Sequence, residues 1–269
     1  MNDGMPPEIE NLVRALGEQD TTHRIRAMRA LAQYNKKPEV VDFIAPYLRD
    51  VDPDVRFAAV KSLEELGDER AVEPLGQALA DTNDDVRLYG ALALGAVGSP
   101  KAVPVLVAAL QKDDEQLQCG AAQALGMIGD RRALKPLLAA FYGSNPAVRR
   151  HAAGGLGDLR DKAAMGPMLH ALTDPNPGVR TDAAYVLGQL GDPQAVEPLI
   201  HALSDGDPDV RYVVAESLGA LKDERALPTL SDVARNDNGR TTWALDHAPG
   251  VGVAYAAQQA IERITQHDG

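Results

Sequence analysis

Between Pro177 and Leu203 the apolar residues fall into two helical stripes. Val179, Ala183, Ala184, Leu187 and Leu190 form the first, and Val196, Leu199, Ile200 and Leu203 form the second. Asn176 can cap the first helix, with Pro177 at its opening position. Gly191 can end it in a left-handed conformation. Asp192 can cap the turn that follows. "LGD" is thus a stop signal joined to a start signal. Pro198 is tolerable only in a first helical turn, so the second helix is expected to begin near Ala195, after a loose turn at 192–195.

The same pattern recurs along the chain. "LGDERAVEPLGQAL" at 66–79 returns as "LGDPQAVEPLIHAL" at 190–203, an offset of 124 residues, or four steps of 31. Stepping by 31 gives Arg56, Arg87, Gln118, Arg149, Arg180 and Arg211, with one exception to arginine. It gives Leu63, Leu94, Leu125, Leu156, Leu187 and Leu218, and Ala71, Ala102, Ala133, Ala164, Ala195 and Ala226, with no exception. A looser copy begins at Thr21, and Ile9, Leu12 and Leu16 place a half repeat at 7–20. "VAYAAQQAIERI" at 253–264 resembles the first half of a repeat, arriving 12 residues late. The expected organisation is one repeat domain over 1–269, with about seven repeats over 21–236, an inserted loop at 237–251 and a capping helix at 252–266.

A helix pair this short cannot bury its stripe alone, whereas stacked pairs can, so an all-α solenoid follows. The 31-residue period differs from the 34 and 33 of tetratricopeptide and ankyrin repeats. The pattern "DPxVRxxAAxALGxLGDxxAVxPLxxAL" resembles the short HEAT-like repeats of the phycobilin-lyase type, over residues 7–235 and more loosely 252–266. The resemblance implies a right-handed superhelix whose second helices line a concave face.

Invariant columns read as architecture and variable columns as surface. The arginine column, with Asp or Asn nearby, is expected to bridge adjacent repeats. The glycines at 95, 126, 157, 188 and 219 are expected to let helices approach closely. The variable columns of the second helices supply candidate binding residues. They are Arg70, Glu73, Gln77, Lys101, Arg131, Arg132, Lys135, His170, Glu197 and His201. Lys101, Arg131, Arg132 and Lys135 form a basic centre, which either receives an acidic segment of a partner or is a solvated face. His170, His201 and Glu197 have the composition of a non-haem iron ligand set. Deoxyhypusine hydroxylase, an iron enzyme with HEAT-like repeats, carries its ligands in His-Glu dipeptides, and this chain has none. Ordinary polar groove residues are therefore expected, with no metal and no cofactor. Trp243, in the segment that breaks the period, either covers the apolar edge of the last full repeat or anchors a partner.

Composition narrows the function further. Aromatics make up only 4% of the chain, so alanine, leucine and valine do most of the packing. The net charge of −12 disfavours nucleic acid and anionic membranes as partners. Cys119 is the one cysteine, which excludes an intrachain disulfide; it lacks a sequence partner for nucleophilic chemistry. No secretory leader and no membrane span is expected, and a cytoplasmic location follows as the default. No serine-hydrolase elbow, phosphate loop, zinc spacing or dinucleotide fingerprint occurs. The expected function is a non-catalytic protein-binding scaffold or adaptor, monomeric. The resemblance implies an alternative: a subunit of a phycobilin lyase or chromophore-handling factor, paired with a second HEAT-like chain.

Overall fold

The computed structural model describes residues 6–34, 37–241 and 252–266. Its contacts divide the chain into two units, Met1–Pro136 and Leu137–Gly269. In the first lie α1 (Pro7–Leu16), α2 (Thr21–Ala32), α3 (Glu39–Ile44), α4 (Pro53–Leu66), α5 (Val72–Ala78), α6 (Asp84–Val97), α7 (Val103–Ala109) and α8 (Glu115–Ile128). Helix α9 (Leu134–Phe141) spans the division. In the second lie α10 (Pro146–Asp158), α11 (Met165–Ala171), α12 (Pro177–Leu190), α13 (Val196–Ala202), α14 (Pro208–Leu221), α15 (Leu227–Asn236) and α16 (Val253–Thr265). Among the described residues there is no named strand, and the expected all-α solenoid class holds.

Within each unit the packing follows one rule. The first helix of a repeat lies against the first helix of the next, α4 on α6 and α12 on α14, for example. The second helix lies against the next first helix, as α5 does on α6 and α13 on α14. The half repeat α1 packs on α2, and α16 takes the place of a first helix against α14 and α15. The leucine column at 63, 94, 125, 156, 187 and 218 is fully buried, as is the alanine column from Ala71 to Ala226.

Local chemistry sets the helix boundaries. Asn176 accepts from the N–H groups of Gly178 and Val179, and Pro177 opens α12. Gly191 ends it at φ 67°. The residues expected to form a loose turn are more ordered than that. Asp192 accepts from the Gln194 N–H, and Pro193–Ala195 form a 3-10 turn. Helix α13 then starts at Val196, which leaves Pro198 in the first turn, where its missing N–H costs nothing. Asp68, Ser99, Asp130, Asp161 and Asp223 cap the equivalent turns in the same way.

The arginine column clasps neighbouring repeats. Arg56 gives Nε and Nη2 to Asp81 at 2.7 and 2.8 Å, while Nη1 donates to the Asp50 carbonyl at 2.9 Å. Arg180 repeats this on Asp205, at 2.7 Å twice, and on the Asp174 carbonyl at 2.9 Å. Arg149 holds Asp174, and Arg211 holds Asp237. Arg87 takes Asp114 instead, because Lys112 stands where the aspartate would be. Gln118 breaks the column, and the position 25 residues on, where Arg56, Arg149 and Arg180 find their aspartate, is Gly143. Its amide donates instead to the carbonyls of Leu110 and Lys112. The clasps of Arg56, Arg149, Arg180 and Arg211 are bidentate pairs, with both side chains of Arg180–Asp205 less than a fifth exposed (17% and 11%).

Burial alone would raise the Asp81, Asp174 and Asp205 carboxyls. Hydrogen bonds from the arginines and from backbone N–H groups outweigh it and hold all three below the usual carboxylate value. A carboxyl lowered in the folded state contributes stability above its unfolded value. That stability is lost as pH falls through the lowered folded value, so the clasps outlast the pH at which a free carboxylate would protonate and fail only in stronger acid. Arg180→Met should therefore cost about 2–3 kcal/mol in urea denaturation at pH 7. The difference from wild type should shrink as Asp205 is protonated in acid. Arg235→Met, at a pair 72% and 68% exposed, should cost less than about 0.5 kcal/mol.

Candidate functional site

The second helices leave one side free. There, between α5 and α7 of the first unit, lies a cleft of about 710 Å³. Val72, Gly76, Pro104 and Val105 form its apolar floor, and Glu69, Arg70, Glu73, Gln77 and Lys101 its rim. Four of the residues singled out from the variable columns, Arg70, Glu73, Gln77 and Lys101, thus share one site.

The cleft lies where the repeat pattern is broken. The Gly76 column continues as Val107, Leu138, Leu169 and Ile200, all aliphatic and half-buried, and ends at Ser231 in the last full repeat. A Cβ on Gly76 would meet only the Val105 side chain, at 3.6 Å, an ordinary contact. The proline of "AVxPL" is displaced too, since the third repeat reads "AVPVL" and puts Pro104 and Val105 opposite. Sequence columns contained this departure, but only the packing shows that a cavity lies there.

The expected basic centre is altered by acids the columns did not include. Lys101 pairs with Glu69 of the preceding repeat. Arg132 is held by Asp130, with Nη2 at 2.7 Å, and Nη2 also donates to the Pro100 carbonyl at 2.8 Å. The Arg132 side chain, with its backbone N–H, brings the Asp130 carboxyl down to about 2. Arg70 lies 3.3 Å from Asp68 and 3.6 Å from Asp42. Arg225 repeats the arrangement with Asp223, Glu197 and the Pro193 carbonyl. This column is a second set of inter-repeat ties, on exposed side chains. Lys135 is exposed and makes no ion pair among the described residues, and Arg131 is exposed beside Arg132. Gln77 Oε1 accepts from Arg49 at 2.7 Å. Glu73 is exposed, with no hydrogen bond or ion pair among the described residues.

His170, Glu197 and His201 are exposed on α11 and α13 of the second unit. Glu197 faces Arg225 at 3.6 Å. Among the described residues no group of three His, Cys, Asp or Glu side chains could hold a metal ion. Trp243 lies outside the described residues. Cys119 is buried on α8, and burial, with the nearby Glu115 charge, pushes its thiol up to about 11.

The model of the HEAT-repeat family matches residues 9–91, 72–144, 136–205 and 182–246. The chain belongs to the HEAT-repeat family. Its HEAT repeats resemble those of several solved structures. One chain from the CpcE–CpcF complex of phycocyanin lyase from Nostoc sp. PCC7120 is 23% identical, with a TM-score of 0.54 over 83% of this chain and 94% of that one. YibA of E. coli is 18% identical, with a TM-score of 0.61 over 99% and 93%. A chain from the structure of Kap95p with RanGDP is 14% identical, with a TM-score of 0.66 over 95% of this chain and 41% of that one. These likenesses establish the HEAT-type fold. No curated protein matches the chain by sequence. No described helix is long and apolar enough to cross a membrane.

Close packing and the open cleft separate two kinds of glycine. A Cβ on Gly95 would lie 2.7 Å from the Ala124 Cα, and one on Gly188 3.0 Å from the Ser217 Cα. Gly219 meets the Ala260 Cα at 2.9 Å, which fits α16 as the next first helix after a 12-residue insertion. Gly95→Ala should destabilise by about 1–3 kcal/mol. Gly76→Ala, which meets no such obstacle, should stabilise by about 0.5–1 kcal/mol. Thermal melts of the two variants check both signs. With the Cys119 thiol near 11, about one molecule in a thousand is thiolate at pH 8, so a disulfide reagent should label the native protein far more slowly than the urea-unfolded one.

Proposed function

We propose that the protein is a binding scaffold or adaptor, and that the cleft between α5 and α7 receives a segment of another protein. The observation carrying this reading is the break in the repeat at Gly76. Four repeats fill the position with their own aliphatic side chain, and this one leaves an apolar floor open to solvent inside a polar rim. Recognition sites combine such a floor with a few polar groups that fix orientation. Arg70, Glu73, Gln77 and Lys101 are assigned to that rim. Arg131, Arg132 and Lys135, one repeat on, extend it. His170, Glu197, His201 and Trp243 are secondary contact positions on the second unit. The partner is a protein, and a cytoplasmic setting suits an acidic chain with a single, buried thiol.

A lyase-subunit role is the second reading, supported by the fold likeness to the phycocyanin lyase chain, which spans 94% of that chain. Affinity capture separates the two. Wild type, Gly76→Phe and the Arg132→Glu, Lys135→Glu double variant serve as baits in native lysate, with mass spectrometry on the eluates. A Cβ at Gly76 meets only the Val105 side chain, so Gly76→Phe, occupying the cleft, should keep a melting temperature close to wild type and lose the partner. Identical eluates from wild type and Gly76→Phe would sink the cleft as the binding surface. A phycobiliprotein or a second HEAT-like chain in the wild-type eluate would move the lyase role to first place.

A further inference from the structure

We infer that the segment entering the cleft carries an aliphatic side chain with a lysine or arginine close beside it. The inference rests on the reading of the cleft as a protein-binding surface and specifies what that surface selects.

The aliphatic requirement comes from the repeat itself. Val107, Leu138, Leu169 and Ile200, four of the six residues from Gly76 to Ser231 in this column, are aliphatic. At Gly76 the side chain is missing, and Val72 and Val105 remain as walls. A partner's leucine, isoleucine or valine laid over Gly76 replaces, in trans, what those four repeats supply in cis. Apolar surface on both sides then leaves water, the main source of favourable association energy.

The basic requirement comes from which rim charges are already satisfied. Lys101 faces Glu69, and Arg70 faces Asp68 and Asp42. Neither cation is free to receive a carboxylate without giving up its own. Glu73 lies one turn before Gly76 on α5, exposed and unpartnered among the described residues. It is the group at the rim with unused capacity, and a carboxylate selects a cation. Gln77 points its oxygen at Arg49, leaving the amide N–H groups to donate to a main-chain carbonyl of the segment. The net charge of −12 draws basic segments inward from a distance and repels acidic ones. Within the cleft lining a basic segment therefore fits better than an acidic one, because Arg70 and Lys101 are tied to their own neighbours, whereas the unpaired Lys135 lies outside that lining.

The test is selection from a phage-displayed random peptide library on the full-length protein, with Gly76→Leu as counter-bait. Gly76→Leu restores the repeat pattern, and a melting temperature no lower than wild type confirms that it folds. Selected peptides are then synthesised and titrated against wild type, Gly76→Leu, Glu73→Gln and Glu73→Lys. The expected peptides hold an aliphatic residue next to lysine or arginine. Gly76→Leu and Glu73→Lys should each weaken them about tenfold or more, Glu73→Gln less, and added salt should weaken wild-type binding. Peptides that depend on Gly76 but are acidic, or that ignore Glu73→Lys, would overturn the inference and leave the cleft as a protein-binding surface. A selection in which no peptide distinguishes wild type from Gly76→Leu would overturn that underlying reading.

Discussion

A seven-residue helix cannot hold itself together in water. Isolated helices need roughly 12–15 residues to be even marginal, and α5, α7, α11 and α13 have seven each. Their stability comes from what they lie against, which is always the first helix of the next repeat. That dependence dictates the rest: the unbroken leucine and alanine columns, the glycines that let backbones touch, and the clasp from each arginine to the loop beyond. A repeat removed from its neighbours would lose all of these at once.

The clasp and the glycine contacts do different work. Apolar burial rewards any close arrangement, whereas a guanidinium held by two carboxylate oxygens and a carbonyl tolerates few. The arginine ladder thus sets the register between neighbouring repeats within a unit. Its variations show the same logic. Arg87 finds Asp114 when the usual aspartate is lysine. Gln118 turns to its own loop in the repeat whose partner position is glycine. Arg160 and Lys222 stand in the left-handed position that glycine fills at Gly67, Gly98, Gly129 and Gly191. The helices end there regardless, because the stop is imposed by the packing of the next turn as well as by the residue.

On a frame this regular, an omitted side chain is conspicuous. Gly76 gains nothing for α5 and loses packing against Val105, yet its repeat is otherwise orthodox. The cleft lies where the second helices face outward, so it costs the stack little. The cations around it have a structural share as well. Arg132 and Arg225 reach back to a carbonyl of the preceding repeat, and Lys101 reaches back to a glutamate. Reading such residues as pure recognition groups overlooks the ties that position them.

The sequence by itself determined the repeat length, the helix pairs and their caps, the bridging arginines and the close-packed glycines. All of these are written in local signals or in columns that recur every 31 residues, and periodicity makes one chain its own alignment. The half repeat at α1 and the late first helix at α16 were legible for the same reason. Only the tertiary structure decided where the free face opens and which charges there remain available. A glycine in a column says that a side chain is missing, but not whether a neighbour fills the space. Glu69, Asp42 and Asp130 neutralise the candidate cations across repeats or across a turn, and such pairings depend on how side chains converge in three dimensions. That convergence left Glu73, rather than the lysines and arginines, as the group at the cleft with capacity to spare.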